Sequence, residues 1–430
     1  MSFEDISNIS DFTDESIGRN QIIKVIGVGG GGNNAVNHMF KEGINDVSFV
    51  LINTDNQALN SSAIPTKLLL GPGLGAGGSP PKAEKYAEEN ADKIAELFGD
   101  NTDMVFITAG MGGGTGTGAG PVVARIAKEL GILTVGIVTI PFLFEGNKRI
   151  LTALKGAEEM KKNVDALLVI NNERLTEIYE KLDIFKAFEM ADDTLLNAAK
   201  GITEIITLTG HINRDFQDVD STLRDGGTAI ISSGLGEGEN RVTKAINNAL
   251  HTPLLKNTDI TSSKKLLMVL YVSSDEGSNF EMSEATELTD FIQQIDQEVD
   301  VKWGLYKVPG LGDKVKITLL ASGFEVTIDQ NPTTVVNKPV KDNTISRDEE
   351  KKIISEYGAD KAGTIQRGTS FSSAIILDPN DYENEDVLES LDTPTFTRKR
   401  PGMAQRQQPS RGQHDSDPGK SIDFSDMSSH

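Results

Sequence analysis

The stretch that decides the fold is Gly110-Met-Gly-Gly-Gly-Thr-Gly-Thr-Gly118, which lies between a strand pattern, Met104–Thr108, and a helical pattern, Val122–Leu130. Apart from Met111, it contains only glycine and threonine. Glycine lets the backbone approach an anion closely, and threonine hydroxyls add donors that glycine lacks. At the start of a helix, unpaired N–H groups and the helix dipole also favour negative charge. The stretch therefore predicts a phosphate-binding loop.

A second glycine-rich loop, Gly27-Val-Gly-Gly-Gly-Gly-Asn-Asn34, follows the apolar run Ile22–Val28 and precedes a helical pattern at Asn34–Lys41. Alone, it matches the G-x-G-x-x-G spacing of dinucleotide-binding domains, with Asp55 near the ribose-binding position. An NAD-type oxidoreductase is therefore an alternative, and so is a turn that only packs tightly. A triphosphate, with its several negative charges, explains two such loops better than a dinucleotide does. Neither loop contains the Gly-Lys-Ser/Thr of a Walker A motif.

The fold class follows from strand patterns that alternate with helical ones, because this order is typical of a mostly parallel sheet covered on both faces. Further strands are predicted at Val47–Ile52, Leu133–Ile140 and Ala166–Ile170. A helix is predicted at Pro81–Phe98, and a long one at Asp183–Thr207 has apolar residues spread widely enough to be buried between two domains. We therefore predict an α/β protein with a Rossmann-like N-terminal domain, a long central helix, a second α+β domain and a disordered C-terminal tail.

Composition excludes several classes of protein. The chain has 430 residues, a net charge of −22 and no cysteine. Disulfides and thiolate metal sites are therefore excluded, and the absence of cysteine fits a reducing cytoplasm. The acidity disfavours nucleic-acid and anionic-lipid surfaces, which select Lys and Arg. The sequence contains no run of about eighteen apolar residues, so membrane insertion is not expected. The polar, acidic start of the chain is not expected to be a signal peptide.

Several motifs together resemble the FtsZ family of tubulin-like GTPases. They are Gly29–Asn34, Asn53-Thr-Asp55, Gly73-Leu-Gly-Ala-Gly77, Gly112-Gly-Gly-Thr-Gly-Thr-Gly118, Pro141-Phe-Leu-Phe-Glu-Gly146 and Asn213-Arg-Asp-Phe-Gln-Asp218. The likeness runs from about Ile22 to Gly323 and resumes at Asp392–Arg400. It implies a cytoplasmic GTPase that polymerises head to tail in the midcell division ring, with GTP as substrate accompanied by Mg²⁺, although no metal ligand is assigned.

The resemblance also implies which residues bind GTP. Phosphate contacts are expected from both glycine loops, with Gly75–Gly78 near the terminal phosphate. The expected loop residues are Gly29, Gly30, Gly31, Gly32, Asn33, Asn34, Gly112, Gly113, Gly114, Thr115, Gly116, Thr117 and Gly118. Glu145 and Arg149 match the ribose and phosphate region of the family, although without it they would be interpreted as a surface ion pair.

The resemblance assigns guanine recognition to three residues. A carboxylate can accept from both N1–H and N2–H₂ of guanine, and this role falls on Asp192. Asn172 is expected at the O6 or N7 edge of the base. Phe188, one helical turn before Asp192, is expected to stack on the base, although the residue pattern alone would place it in the core.

Catalysis is assigned to Asn213, Asp215 and Asp218, which match the family's catalytic loop. Two carboxylates at a helix start can orient and polarise a water, but aspartates at this position also cap helices. The residue pattern leaves both interpretations open, and a nucleotide-binding scaffold without turnover is a further alternative. The resemblance implies that the loop acts on the GTP of the neighbouring subunit. His211 and Arg214 are departures from the family pattern that leave the matched positions intact.

The predicted organisation divides the chain into eight parts. These are a disordered arm (1–20), a GTP-binding domain (21–182), the central helix (183–208), the catalytic loop with its following helix (209–225), a C-terminal α/β domain (226–327), a flexible linker (328–387), a partner-binding peptide (388–400) and a disordered extension (401–430). The peptide combines apolar anchors such as Phe396 with the basic cluster Arg398-Lys-Arg400. It is expected to dock membrane-tethering and regulatory division proteins.

Overall fold

The computed structural model describes residues 22–44, 46–99, 101–178, 183–208, 210–250, 263–275, 280–295 and 298–324. The predictions for the arm, the linker, the partner-binding peptide and the extension concern residues outside these ranges. No helix in the described ranges is both long and apolar enough to cross a membrane.

Ten described strands form one sheet in the order β3-β2-β1-β4-β5-β6-β7-β10-β8-β9. The strands are β1 (Ile23–Val28), β2 (Val47–Asn53), β3 (Thr66–Leu69), β4 (Met104–Gly110), β5 (Leu133–Ile140), β6 (Ala166–Asn171), β7 (Gly227–Gly236), β8 (Lys265–Ser273), β9 (Asp300–Val308) and β10 (Val315–Ser322). The helices are α1 (Gly29–Glu42), α2 (Asn56–Asn60), α3 (Pro80–Glu88), α4 (Ala91–Phe98), α5 (Thr115–Glu129), α6 (Asn147–Asn163), α7 (Asn172–Ile178), α8 (Ile184–Thr207), α9 (Phe216–Leu223), α10 (Arg241–Leu250) and α11 (Met282–Gln294).

The N-terminal half of the sheet is parallel. Every neighbouring pair from β3 to β7 runs in the same direction. Parallel strands are buried on both faces, which is why their sequences are nearly continuous apolar runs. The α/β prediction is therefore confirmed. Among β1 to β6, only β3 lacks a predicted counterpart, because its four residues, Thr-Lys-Leu-Leu, are too few to show a period.

The C-terminal half of the sheet is mixed, as expected for an α+β domain. Strand β10 pairs antiparallel with both β7 and β8, whereas β8 and β9 are parallel. The two halves meet where β6 and β7 pair at only two positions, Ala166 with Gly227 and Leu167 with Thr228. Pairing at two positions is too short to hold the two halves of the sheet together, so side-chain packing must contribute most of the contact between them.

Helix α8 supplies that packing. Leu195, Ala199 and Ile202 are buried in one cluster with Phe106 of the N-terminal half and Leu267 of the C-terminal half. Full burial of a leucine or isoleucine stabilises the fold by about 1.5–3 kcal/mol. The prediction of a helix buried between two domains is confirmed for this part of α8, whereas its first turn is exposed.

Two helices begin earlier than the sequence predicts. Helix α1 begins at Gly29 instead of Asn34, and α5 begins at Thr115 instead of Val122. Glycine has low helix propensity, so its runs were interpreted as loops, but tertiary packing overrides this preference. The predicted helix Pro81–Phe98 is also wrong as a single element, because the chain breaks at Glu89–Asn90 between α3 and α4.

Candidate functional site

A cavity of about 300 Å³ opens at the carboxyl ends of the parallel strands, between the first turns of α1 and α5 and the N-terminal part of α8. Ligands of open α/β sheets bind at this edge. The cavity is lined by many of the predicted nucleotide-binding residues. These are Gly30, Gly31, Asn34, Gly113, Gly114, Thr115, Gly116, Glu145, Arg149, Asn172, Phe188 and Asp192.

The two helix starts make the cavity suitable for phosphate. Neither α1 nor α5 has a side-chain cap or an acidic residue in its first turn. Backbone N–H groups at such an end are available to an anion, and the helix dipole attracts negative charge. A Cβ atom on Gly30 or Gly113 would meet no atom within 4 Å, so both positions face open space where a phosphate could approach the backbone.

Other predicted loop residues lie behind the cavity wall. They are Gly29, Gly32, Asn33, Gly112, Thr117 and Gly118. A Cβ atom on Gly32 would lie 2.2 Å from the Thr108 carbonyl oxygen, and one on Gly118 would lie 2.0 Å from that of Pro80. Gly29 has a φ of 75°, a left-handed conformation that favours glycine. These glycines allow the close packing that shapes the loops.

The loop at Gly75–Gly78, expected near the terminal phosphate, packs against the second glycine loop. A Cβ atom on Gly114 would lie 3.0 Å from the Ala76 Cβ atom and 3.1 Å from the Gly78 carbonyl carbon. The Gly75 N–H donates to the Thr54 carbonyl at 2.8 Å, and the hydroxyls of Thr54 and Thr115 are 2.7 Å apart. Thr54 thus connects this loop to the cavity wall. Its position in the motif Asn53-Thr-Asp55 was the sequence signal for it.

Glu145 and Arg149 lie at the mouth of the cavity. The Arg149 Nη1 atom is 3.1 Å from Glu145 Oε2, so the two side chains form the ion pair that the residue pattern alone would suggest. Glu145 also accepts a hydrogen bond from the Phe142 N–H at 2.9 Å. Arg149 supplies positive charge among the described lining residues, and about half of its side chain is exposed.

The other end of the cavity holds the residues assigned to the base. The Asn172 Oδ1 atom is buried without a hydrogen-bond partner. Such an atom costs about 1–3 kcal/mol unless a ligand pairs with it. The exposed fraction of Phe188 is 41%, and its ring lies edge-on to that of Phe142 with centroids 5.2 Å apart. The predicted stacking residue therefore belongs to an aromatic cluster that borders the cavity.

Asp192 lies in a low-dielectric environment. Burial raises the pKa of its carboxyl from 3.8 to about 7, and the negative charges of Asp193 and Glu189 act in the same direction. The opposing influence is His38 on α1, whose positive charge lowers the pKa of Asp192. His38 itself is held by a 2.6 Å contact with Asp193, and this hydrogen bond raises the pKa of His38. A ligand that donates to Asp192 would favour the ionised form of its carboxyl.

Several residues that line the cavity were not among the predicted contacts, although two of them, Gly110 and Met111, belong to the stretch that predicted a phosphate-binding loop. They are Gly110, Met111, Thr139, Pro141, Ala191 and Leu195. Gly110 is the last residue of β4 and Thr139 is the last but one of β5, so the carboxyl ends of the parallel strands were the available signal for both. Ala191 and Leu195 lie close to Phe188 and Asp192 on α8, where helical spacing was the available signal.

The predicted catalytic residues do not line this cavity. Asn213, Asp215 and Asp218 follow the C-terminal end of α8, whereas Asp192 lies in its N-terminal half. Fifteen residues of helix separate Asp192 from Thr207, which corresponds to about 22 Å at 1.5 Å per residue. The structure therefore places the cavity and the segment 210–218, which contains the predicted catalytic residues, at opposite ends of one helix.

The segment 210–218, hereafter the catalytic segment after its predicted role, contacts strand β9. The backbone of Ile212 forms an isolated bridge with Leu305, and the Tyr306 hydroxyl contacts the Arg214 N–H at 2.9 Å. Asp215 caps α9 by accepting from the Asp218 N–H at 3.1 Å. The helix-capping interpretation of Asp215 is therefore confirmed, and the catalytic one stays a prediction. Because a cap uses one carboxylate oxygen, it leaves the other available for chemistry.

Comparisons with known proteins identify the family. Residues 22–180 match the GTPase domain of the tubulin/FtsZ family, and residues 227–325 match the C-terminal domain of the FtsZ family. Over 394 residues, the chain is 48% identical to the cell division protein FtsZ of Porphyromonas gingivalis (strain ATCC BAA-308 / W83), a match that covers 88% of this chain and 85% of that protein.

Two solved structures illustrate the similarity in three dimensions. An empty FtsZ dimer from M. jannaschii has a TM-score of 0.64 and 37% identity, and the match covers 81% of this chain and all of that one. CetZ2 from Haloferax volcanii, solved as a GTPγS-bound protofilament, has a TM-score of 0.63 over 79% of this chain and 99% of its own. At 18% identity, the second comparison supports the fold alone.

Proposed function

Since this chain belongs to the FtsZ family of tubulin-like GTPases, we propose that it assembles head to tail into filaments in which each subunit completes the GTPase site of its neighbour. The observation that carries the proposal is that about 22 Å of α8 separates Asp192, in the cavity, from the end of the helix that leads to Asp215 and Asp218. A carboxylate at the far end of a rigid helix cannot act on GTP in its own cavity. It can act on the GTP of an adjoining subunit if the two ends of the molecule meet.

In the proposed mechanism, the glycine loops bind the phosphates through backbone N–H groups, with Arg149 at the mouth of the cavity. Asp192 accepts from the guanine edge, and the side-chain amide of Asn172, whose Oδ1 atom has no partner among the described residues, meets the same base. Asn213 and Asp215, both exposed, project from the neighbouring subunit and orient the attacking water. Positioning a water and accepting its proton typically accelerates such a step by about 100- to 10,000-fold.

A magnesium ion bound together with the nucleotide fits this arrangement. The described residues contain no cluster of three or more His, Asp or Glu that could hold a metal ion. Magnesium is commonly held by substrate phosphates with one or two carboxylates, and the exposed Asp215 of the neighbour is a suitable donor. Bound Mg²⁺ would neutralise charge on the phosphates. The contribution of this chain is to align the two ends that meet around them.

A head-to-tail contact uses two different surfaces of the subunit, so it leads to open filaments if the rotation does not close a ring. We propose that these filaments act in the division ring of the cell. From the sequence we further propose that the segment 388–400 attaches them to membrane-tethering division proteins. Many copies along a filament would offset weak binding at each one.

The test is GTP hydrolysis measured against protein concentration, with light scattering to follow assembly. A split site predicts almost no turnover per subunit at high dilution and a rise above a threshold that coincides with assembly. GTP binding, followed by fluorescence of a labelled nucleotide, should persist below the threshold. Constant turnover per subunit at all concentrations would show that each subunit has a complete site. That result would refute the proposal.

A further inference from the structure

The geometry points to Lys302 and Arg214 as positioning residues that hold the catalytic Asp218 by both of its carboxylate oxygens. The inference rests on the proposed function, because it assumes that Asp218 takes part in hydrolysis at the subunit contact. Lys302 lies on β9, in the C-terminal domain, and is not part of the motif that contains Asp218. Arg214 lies inside that motif, at a position where the family pattern does not require it.

Strand β9 supports the catalytic segment through three residues on one face. Lys302, Gly304 and Tyr306 alternate along the strand, so their side-chain directions coincide. The Tyr306 hydroxyl lies within hydrogen-bond distance of the backbone of Arg214 and of the Ile205 carbonyl at the end of α8. This hydroxyl therefore fixes the start of the catalytic segment relative to α8.

The central position of this face accommodates the Arg214 side chain. A Cβ atom on Gly304 would lie 2.9 Å from Arg214 Cγ, so glycine leaves room for the arginine stem to pack against the strand. The Arg214 Nε atom is buried without a hydrogen-bond partner. Because its stem is packed and its backbone is bound by Tyr306, the guanidinium has little freedom and is directed towards α9.

Asp218 receives one cation on each carboxylate oxygen. Arg214 Nη1 is 3.2 Å from Oδ2, and Lys302 Nζ is 3.1 Å from Oδ1. Lys302 also contacts the Ser221 hydroxyl at 2.5 Å, one turn further along α9. The exposed fractions of the three charged side chains lie between 21% and 25%. Ion pairs of this partial burial are screened less than pairs on an open surface.

The charges also suit the surface that this segment would meet. Asp215 and Asp218 together carry two negative charges, and a triphosphate in the adjoining subunit would repel them. Arg214 and Lys302 bring two positive charges to the same place, so the four groups sum to zero. The two cations thus orient Asp218 and allow the carboxylates to approach the phosphates.

The experiment is a double-mutant cycle between Lys302 and Asp218 in the full-length chain. The variants are Lys302→Met, Lys302→Arg, Asp218→Asn and the double variant Lys302→Met with Asp218→Asn. Each is assayed for GTP binding below the assembly threshold and for turnover in sedimented filaments. Lys307→Met is the matched control, because this lysine is exposed and its side chain lies on the opposite face of β9.

We expect Lys302→Met to lower turnover per assembled subunit by about 10- to 100-fold, as a misplaced catalytic group does. GTP binding should be unchanged because the cavity is at the other end of α8, and Lys302→Arg should retain most turnover because it keeps the charge. In the Asp218→Asn background, Lys302→Met should cause little further loss, since its effect is transmitted through Asp218. A role confined to packing would add its loss in both backgrounds and would overturn the inference.

Arg214 is tested by the same cycle with Arg214→Gln. If Arg214→Gln lowers turnover in the wild-type background but not in the Asp218→Asn background, the positioning role of Arg214 is supported. If turnover falls equally in both backgrounds, that role is overturned in favour of direct contact between Arg214 and phosphate. Two failures remain distinguishable. If Asp218→Asn itself keeps full turnover, the proposed function is wrong in its assignment of Asp218. If Asp218→Asn loses turnover while Lys302→Met matches Lys307→Met, only the positioning inference is wrong.

Discussion

Protonation of Asp192 offers a quantitative test of the assigned base site. Its carboxyl has a pKa of about 7 in the nucleotide-free structure, mainly because of burial. Guanine would donate two hydrogen bonds to the ionised form, so GTP should bind the deprotonated protein preferentially. For a pKa of about 7, the ionised fraction rises roughly tenfold between pH 6 and pH 8. The affinity for GTP should therefore rise about tenfold over this range and level off above it.

The stability of the nucleotide-free protein should change in the opposite direction. The folded pKa of Asp192 lies above its unfolded value of 3.8. The stability contributed by the bound proton is therefore fully present below about pH 4 and is lost as the pH rises through about 7. Between pH 6 and pH 8, this group should lower the free energy of unfolding by about 1.4 kcal/mol, the counterpart of a tenfold change in affinity.

Three assays can check these changes. Labelled-nucleotide titrations give the affinity, urea unfolding gives the stability, and calorimetry in two buffers should detect about half a proton released per GTP at pH 7. Asp192→Asn is the matched control because it keeps the shape, removes the titration and leaves the titration of the phosphates unchanged. His38→Gln should move the midpoint to higher pH, because the positive charge that lowers the pKa of Asp192 is lost.

The reasoning is refuted if wild type and Asp192→Asn show the same dependence of GTP affinity on pH. Asp192→Asn should also weaken the preference for GTP over ATP, because an amide presents one acceptor and one donor where guanine needs two acceptors. An unchanged preference would remove Asp192 from the base site, whatever its pKa.

Three further predictions concern catalysis, packing and the C-terminal segment. Asp215→Ala should bind GTP normally but lose about 100- to 10,000-fold in turnover; much weaker binding by isolated subunits would place Asp215 at its own nucleotide. Gly118→Ala should lower stability by roughly 1–3 kcal/mol in thermal unfolding, since its Cβ atom would lie 2.0 Å from the Pro80 carbonyl. Gly113→Ala, with open space around it, should instead leave stability nearly unchanged and weaken GTP binding. If Gly113→Ala lowered stability and Gly118→Ala only weakened GTP binding, the assignment of one glycine to the cavity and the other to packing would be wrong. Deletion of 388–430 should leave GTPase activity and sedimentation near normal and abolish recruitment to vesicles that carry a tethering partner, whereas loss of polymerisation would argue against a separate docking peptide.

The sequence by itself determined the fold class and much of the nucleotide site. Its information is local: an apolar run that ends in glycines marks a strand that leads into a phosphate loop, and two such loops suit a triphosphate better than a dinucleotide. The strand Leu133–Ile140 was predicted to the residue, because buried parallel strands are continuous apolar runs between clear breaks. The resemblance placed Glu145 and Arg149 in one part of the site, and the two side chains do pair, across the non-helical Gly146 that precedes α6.

Only the tertiary structure decided which glycines face the cavity. Gly113 and Gly118 look alike in the sequence, yet one faces open space and the other packs against Pro80. The burial of Asp192, and hence its pKa, depends on α1 and α8 lying side by side. The partnership of Lys302 with Asp218 joins a strand and a helix that lie far apart along the chain. Such contacts depend on how elements pack across the sheet, and no local residue pattern carries that information. The separation of the cavity from Asp215 and Asp218 also depends on tertiary structure, because in the folded protein the two sites lie near opposite ends of α8.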